Sequence, residues 1–149
     1  MMETTLFIIK PEGMQFRGVI RSRVVESGLV VRRSVVARLS EFHVAALYPD
    51  LSPDLRRATA NFVLSGDCEI CEVVGENAVR RLLEVVGHAT DPNECSPGTL
   101  RKEFGCKVPE CVGSAIYFRN AIHRPKDSEE AQRDCSLLAS LLDSEVSIR

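Results

Sequence analysis

Tryptophan is absent from this chain, and aromatic residues make up only 5% of it. Aromatic packing therefore cannot dominate the interior. Val, Leu and Ile must build the core of a chain that is 44% hydrophobic. No apolar run approaches the roughly 20 residues that span a bilayer as a helix, so a membrane partner is not expected. The opening METTLFIIKPEG sets an acidic residue before a short apolar run, which does not suit a secretory signal; a cytoplasmic protein is expected. A strong charge of one sign is also missing. The net charge is −2, so no basic field exists to hold nucleic acid as the main partner. The pairs Arg32-Arg33, Arg56-Arg57 and Arg80-Arg81 read as solvated faces. Repeats and low-complexity segments are lacking, and 149 residues suit one domain, 1–149, large enough to bury a core without staples.

Cysteine is not scarce: Cys68, Cys71, Cys95, Cys106, Cys111 and Cys135. Without a secretory signal, reduced thiols are the expected state. Cys68 and Cys71 have C-x-x-C spacing but lie in an apparent strand, where residues three apart point to opposite faces. Cys106 and Cys111 make a poor second pair, so a zinc or redox module is the weaker reading and no residue is assigned to a resident metal.

Pattern and punctuation divide the chain. Thr4 to Ile9 reads as a strand closed by the Lys10-Pro11-Glu12-Gly13 turn. Val19 to Ser27 has helical spacing and stops at Gly28. Leu29 to Leu39 reads as a strand. Ser40 caps a short helix to Leu47, and Ser52-Pro53 starts another that ends near Ser65-Gly66. Cys68 to Val74 is a third strand, Glu76 to Val86 a helix ending at Gly87, and His88 to Gly98 a loop. Thr99 to Phe104 forms one or two helical turns, Gly105 to Gly113 is irregular, and Ser114 to Phe118 is the fourth strand. Asp127 or Ser128 caps a last helix to about Leu142. The order contains βαββαβ. It predicts an α+β, ferredoxin-like split βαβ fold: a four-stranded antiparallel sheet with helices packed on it.

Polar residues collect at element ends: Lys10, Tyr48, Thr90, Arg101, Asn120 and His123. Two cations, two hydroxyls, an amide and an imidazole suit a polyphosphate, with neutral imidazole as nucleophile. Arg101, early in a helix, would be disfavoured by the helix dipole unless an anion lies nearby. His43 and His88 read as surface residues.

Four segments in order, TLFIIKPEG, LYPDL, TDP…SPGTLR and RNAIH, carry a resemblance to the nucleoside diphosphate kinase family. That resemblance implies the split βαβ fold and Mg²⁺-dependent, ping-pong transfer of a terminal phosphoryl group from a nucleoside triphosphate to a diphosphate. It implies His123 as the phosphorylated nucleophile. Asp134 stands where the family keeps a Glu that fixes the histidine tautomer; being shorter, it is expected to act through a water. Lys10, Thr90 and Arg101 are implied to contact phosphates, Tyr48 to support them, and Asn120 to touch ribose and phosphate. The resemblance also implies a homo-oligomer built on dimers through a helix and the edge strand, with hexamers as the larger assembly.

Departures accompany the resemblance. Leu83 replaces a phosphate-binding arginine, for which Arg80, one turn earlier, is the expected substitute. Leu55 falls at the base-stacking phenylalanine and Tyr117 at the aliphatic residue opposite, so the aromatic is expected to have changed sides. Arg124-Pro125 replaces a small Gly-Ser, and GCKVPECVG lengthens the loop before the last strand. The alternative reading is a weakened nucleotide-binding or scaffold module with the same fold.

Overall fold

A computed structural model describes the backbone of residues 1–148 and the side chains of residues 1–144. In chain order, β1 (Met2–Ile9) passes through a 3₁₀ turn (Pro11–Phe16) into α1 (Arg17–Glu26). Next come β2 (Val30–Ala37), α2 (Glu41–Leu47) and α3 (Pro53–Val63), then β3 (Cys68–Glu76) and α4 (Ala78–Val86). A 3₁₀ turn (Pro92–Glu94) precedes α5 (Leu100–Phe104), followed by β4 (Glu110–Val112), β5 (Ala115–Tyr117), β6 (Ile122–His123) and α6 (Ser128–Ile148).

The main sheet has the order β2-β3-β1-β6, with every neighbouring pair antiparallel. This is the expected split βαβ arrangement, with β3 inserted between β1 and β2. Local chemistry agrees with it. Ser40 and Ser52 cap α2 and α3, with side-chain oxygens accepting from His43 and Leu55 amides. Gly28 (φ 101°) and Gly87 (φ 121°) end α1 and α4 in conformations that side chains resist.

Both faces of the sheet are covered. Phe7, Ile9, Cys71 and Val73 pack with Ile20, Val24 and Leu82 from α1 and α4. Leu6, Ile8, Cys68 and Ile70 pack on the other side with Val44, Val63, Leu138 and Leu142 from α2, α3 and α6. Double burial explains why β1 reads as the continuous apolar run LFII rather than an alternation. It also separates Cys68 from Cys71, as the strand period requires.

Two carboxylates interrupt β3, and each is paired. Glu69 accepts from Arg17 Nε at 2.7 Å and Arg21 Nη1 at 2.6 Å. Glu72 accepts from Arg32 Nε at 3.0 Å and Arg33 Nε at 2.9 Å. A bulge between Val31 and Arg33 lets consecutive arginines converge on Glu72 from one strand. Burial alone would raise the Glu72 carboxyl; hydrogen bonds from Arg33 and Arg32 outweigh it and leave the group below its ordinary value.

The fourth strand is not Ser114 to Phe118. Ala115–Tyr117 pairs instead with Glu110–Val112, part of the stretch expected to be irregular, in a separate hairpin turned at Gly113 (φ 60°). The fourth strand is Ile122–His123, paired with Ile9 and Ile8. SAIYF has strand composition, but composition does not name a partner. A strand of two residues is too short for any periodicity to reveal.

Thr5 in β1 is fully buried, and its hydroxyl finds no hydrogen-bond partner among the described residues. Thr5→Val keeps the shape and removes the unsatisfied group. It is expected to stabilise the protein by about 1 kcal/mol, seen as a higher urea midpoint at unchanged slope. A lower midpoint would show that the hydroxyl contributes to the fold.

Candidate active site

The turn after β1 grips the segment before β6. The Lys10 amide donates to the Ala121 carbonyl at 2.8 Å, and the Ala121 amide donates to Glu12 Oε2 at 3.1 Å. Gly13 lies beneath; a Cβ there would stand 2.8 Å from the Ala121 oxygen. Ala121 is held at φ 74°, which costs a residue with a side chain roughly 1–2 kcal/mol. Lys10-Pro11-Glu12-Gly13 and Asn120-Ala121-Ile122-His123 are thus two halves of one clamp. The strained backbone between Asn120 and Ile122 presents the Asn120 amide and the His123 ring to one cavity.

His123 is 6% exposed, and its Nε2 lies 2.9 Å from Oδ2 of the fully buried Asp134 on α6. The shorter carboxylate reaches the ring directly, without the water expected from its length. The approach of α6 to β6, which sequence does not express, closes the distance. Arg133 donates from Nε and Nη2 to the other oxygen, Oδ1, at 3.1 and 3.0 Å. A carboxylate so held accepts the Nε2 proton and leaves the Nδ1 lone pair free. Tyr48, at the end of α2, sets its ring edge-on to the imidazole at 5.1 Å. Burial lowers the His123 pKa below its ordinary value. Asp134 opposes this, and Lys10 and Arg101 add to it. Burial thus favours the neutral ring.

Of the five cations that line the cavity with His123, Lys126 and Arg133 pair with Glu130 and Asp134; the other three are Lys10, Arg101 and Arg124. Lys10 Nζ donates to Asn120 Oδ1 at 2.8 Å and approaches the Tyr117 hydroxyl at 3.4 Å. Arg101 spends its guanidinium on backbone carbonyls: Ile122 at 2.9 and 3.2 Å and Ala89 at 3.0 Å. Arg124 likewise bonds the carbonyls of Gly87 and His88. None of the three forms an ion pair among the described residues, whereas Glu69 and Glu72 each hold two arginines. Burial pulls the Lys10 ammonium down to about 8, with Glu12 opposing and Arg101 adding. Burial, then the charge of Arg124, pulls Arg101 down to about 10. Buried cations without carboxylates are costly, and an anion in the cavity would relieve them.

The cavity measures about 390 Å³, within the range of small-ligand sites. It brings together Lys10, Tyr48, Leu55, Thr90, Arg101, Tyr117, Asn120 and His123. Thr90 is fixed through its carbonyl, which accepts from Asn120 Nδ2 at 3.0 Å. Arg80 is not among them. It is exposed on α4 and lines a different cleft with Asn77, Arg81 and Glu84. Helical spacing put it near the face of Leu83, but α4 turns its apolar side to the sheet and carries Arg80 away from the cavity.

Tyr117 also departs from expectation. Its ring stacks on Phe62, centroids 5.2 Å apart and nearly parallel, and its hydroxyl turns to Lys10. One face is thus covered by α3. The open apolar wall is formed instead by Leu51, Leu55, Ile116 and Phe118. Ile116 and Tyr117 come from the β4–β5 hairpin, which the long GCKVPECVG segment builds. Asp54 at the start of α3 fastens that hairpin, accepting from the Ser114 amide and hydroxyl, each at 2.8 Å. Arg124, Lys126, Glu130 and Arg133 line the cavity as well and were not expected there. Their adjacency to His123 and Asp134 was the available signal.

The family model described as nucleoside diphosphate kinase matches residues 3–141 of this chain. A nucleoside diphosphate kinase of Legionella pneumophila (strain Lens) is 31% identical over 140 residues, covering 89% of each protein. One from Syntrophotalea carbinolica is 33% identical over 137 residues, covering 87% of this chain and 90% of its own. Among solved structures, the Aquifex aeolicus nucleoside diphosphate kinase superposes with a TM-score of 0.77 at 26% identity, covering 93% of this chain and 95% of that one. The match spans the clamp, the cavity and the histidine together: this chain belongs to the nucleoside diphosphate kinase family.

Proposed function

We propose that this protein transfers the terminal phosphoryl group of a nucleoside triphosphate to His123 and from there to a nucleoside diphosphate. The observation that carries this reading is a neutral histidine, oriented by a buried carboxylate, in a cavity with three cations that no carboxylate pairs. In the first half-reaction the Nδ1 lone pair attacks the γ-phosphorus, the bond to the bridging oxygen breaks, and the diphosphate leaves with that electron pair. The Nε2 proton stays on the ring, where Asp134 stabilises the developing positive charge. In the second half-reaction a terminal oxygen of another diphosphate takes the phosphoryl group, and the imidazole returns to neutrality. Phosphoryl transfer asks little covalent help from the protein, so Lys10, Arg101, Thr90 and Asn120 act by position and charge. Tyr48 supports the imidazole, and Leu55 forms part of the apolar wall available to a base.

Mg²⁺ fits this site as a companion of the nucleotide. The groups around His123 are mainly cations and amides, and the described residues contain no cluster of three His, Cys, Asp or Glu that could hold a metal ion. Mg²⁺ coordinated mainly by phosphate oxygens and water needs few protein ligands and would neutralise charge on the bridging oxygens.

His123→Ala is expected to abolish incorporation of γ-phosphate label, which in the intact protein should survive alkali and be lost in acid. Asp134→Asn should lower kcat on the order of 10²–10⁴-fold, because an amide can hold the wrong tautomer. Label retained in His123→Ala, or none in the intact protein, would overturn the reading.

The alkaline limb of the pH profile follows from Lys10. Its folded value is about 8, so in the free protein the ammonium loses its charge as pH rises through 8. A bound polyphosphate favours the charged form. kcat/KM should therefore fall above about pH 8, approaching tenfold per pH unit. Lys10→Arg should remove that limb; an unchanged limb would place the titration elsewhere.

We also propose that the chain forms dimers. The support is apolar exposure along one side: Val30 (62%) and Val36 (43%) on the edge strand β2, and Val19 and Val25 on α1. Light scattering at micromolar concentration should give twice the mass of one chain, and a monomer would exclude this assembly.

A further inference from the structure

Arg124 follows the nucleophile and reaches to the end of α4. Its Nε and Nη2 donate to the Gly87 carbonyl at 3.3 and 2.9 Å, and Nη2 donates to the His88 carbonyl at 3.0 Å. These bonds use one edge of the guanidinium and leave the two Nη1 protons uncommitted among the described residues. Pro125 restricts the Arg124 backbone to extended conformations, which limits the directions its side chain can take. The side chain is half-buried and faces the cavity that holds Lys10, Arg101 and His123. No carboxylate pairs with it, although Glu130 lies in the same cavity and bonds the Lys126 amide. Burial lowers its pKa, with Glu130 opposing, and its charge in turn depresses Arg101. The like charges of the two guanidinium groups oppose each other, and the backbone carbonyls of Gly87, His88, Ala89 and Ile122 only partly offset that. Neither Leu83 nor the outward-facing Arg80 on α4 offers a cation here.

We propose that Arg124 is the second phosphate-gripping guanidinium of this site. Its free Nη1 edge holds the β- and γ-phosphates of a bound nucleoside triphosphate, in place of an arginine on α4. This rests on the phosphotransfer reading above. It also makes the site select its ligands by phosphate number, because a chain of two or more phosphates offers more charge and more acceptor oxygens to Arg101, Lys10 and Arg124 than one phosphate does.

The test is calorimetric binding of AMP, ADP and inorganic tripolyphosphate to the intact protein, Arg124→Gln and Arg124→Lys. Glutamine can still donate to the Gly87 carbonyl but carries no charge, so it separates anchoring of the loop from binding of phosphate. Arg124→Gln should weaken ADP and tripolyphosphate by about 10- to 100-fold, the size of a lost charge-assisted contact, and AMP by no more than about threefold. Arg124→Lys should fall between, because it keeps the charge without the fork. Unchanged ADP binding in Arg124→Gln, or an equal loss for AMP and ADP, would overturn the proposal and leave Arg124 as a loop anchor. The titration needs no turnover, so its outcome is independent of whether label appears on His123.

Discussion

The clamp between the turn after β1 and Ala121 is the constraint on which the site depends. β6 has two residues and cannot hold itself in the sheet by ladder bonds alone. The Lys10 amide, the Glu12 carboxylate and the absence of a side chain at Gly13 fix Ala121 at positive φ, and that forced backbone carries Asn120 and His123 with it. The same turn delivers Lys10 to Asn120. One local arrangement thus couples His123, the Lys10 ammonium and the Asn120 amide between them. The roughly 1–2 kcal/mol stored at Ala121 is offset by its hydrogen bonds to the Lys10 amide and the Glu12 carboxylate and by the burial of Ile122.

Charge is handled in two ways in this molecule. On the sheet, Glu69 and Glu72 are buried and satisfied by arginines whose outer portions reach solvent, an arrangement complete within the fold. In the cavity, Lys10, Arg101 and Arg124 bond carbonyls, an amide and a hydroxyl, and none of them forms an ion pair among the described residues. The first arrangement serves structure. The second leaves three cations without a carboxylate partner, and burial depresses the pKa values of Lys10 and Arg101. An anion bound in the cavity would offset that cost.

The departures from the family pattern are connected. Leu83 on α4 carries no charge and Arg80 lines a different cleft, while Arg124, beside His123, lines the cavity and rests its guanidinium on the end of α4. The longer segment before β6 becomes a hairpin fastened to α3 by Asp54, and it supplies Ile116 and Tyr117 to the cavity. Tyr117 then works as a wall stacked on Phe62 and a hydroxyl beside Lys10.

The sequence by itself determined the elements with strong local signatures. Serine caps at Ser40 and Ser52, glycine stops at Gly28 and Gly87, and the apolar runs of β1 and β3 set their own boundaries, because propensity, capping and burial act over a few residues. It also pointed to Lys10, Arg101, Asn120 and His123, polar residues at element ends that the fold brings to one cavity. Tertiary structure alone decided what depends on pairing and on helix rotation. Whether Ser114 to Phe118 joins the main sheet depends on which strand edge is nearest, which composition does not encode. Arg80 and Arg124 are both arginines near the site in sequence. Only the rotation of α4, which buries its apolar face against the sheet and turns Arg80 outward, and the extended backbone before Pro125 decide which of them faces the cavity.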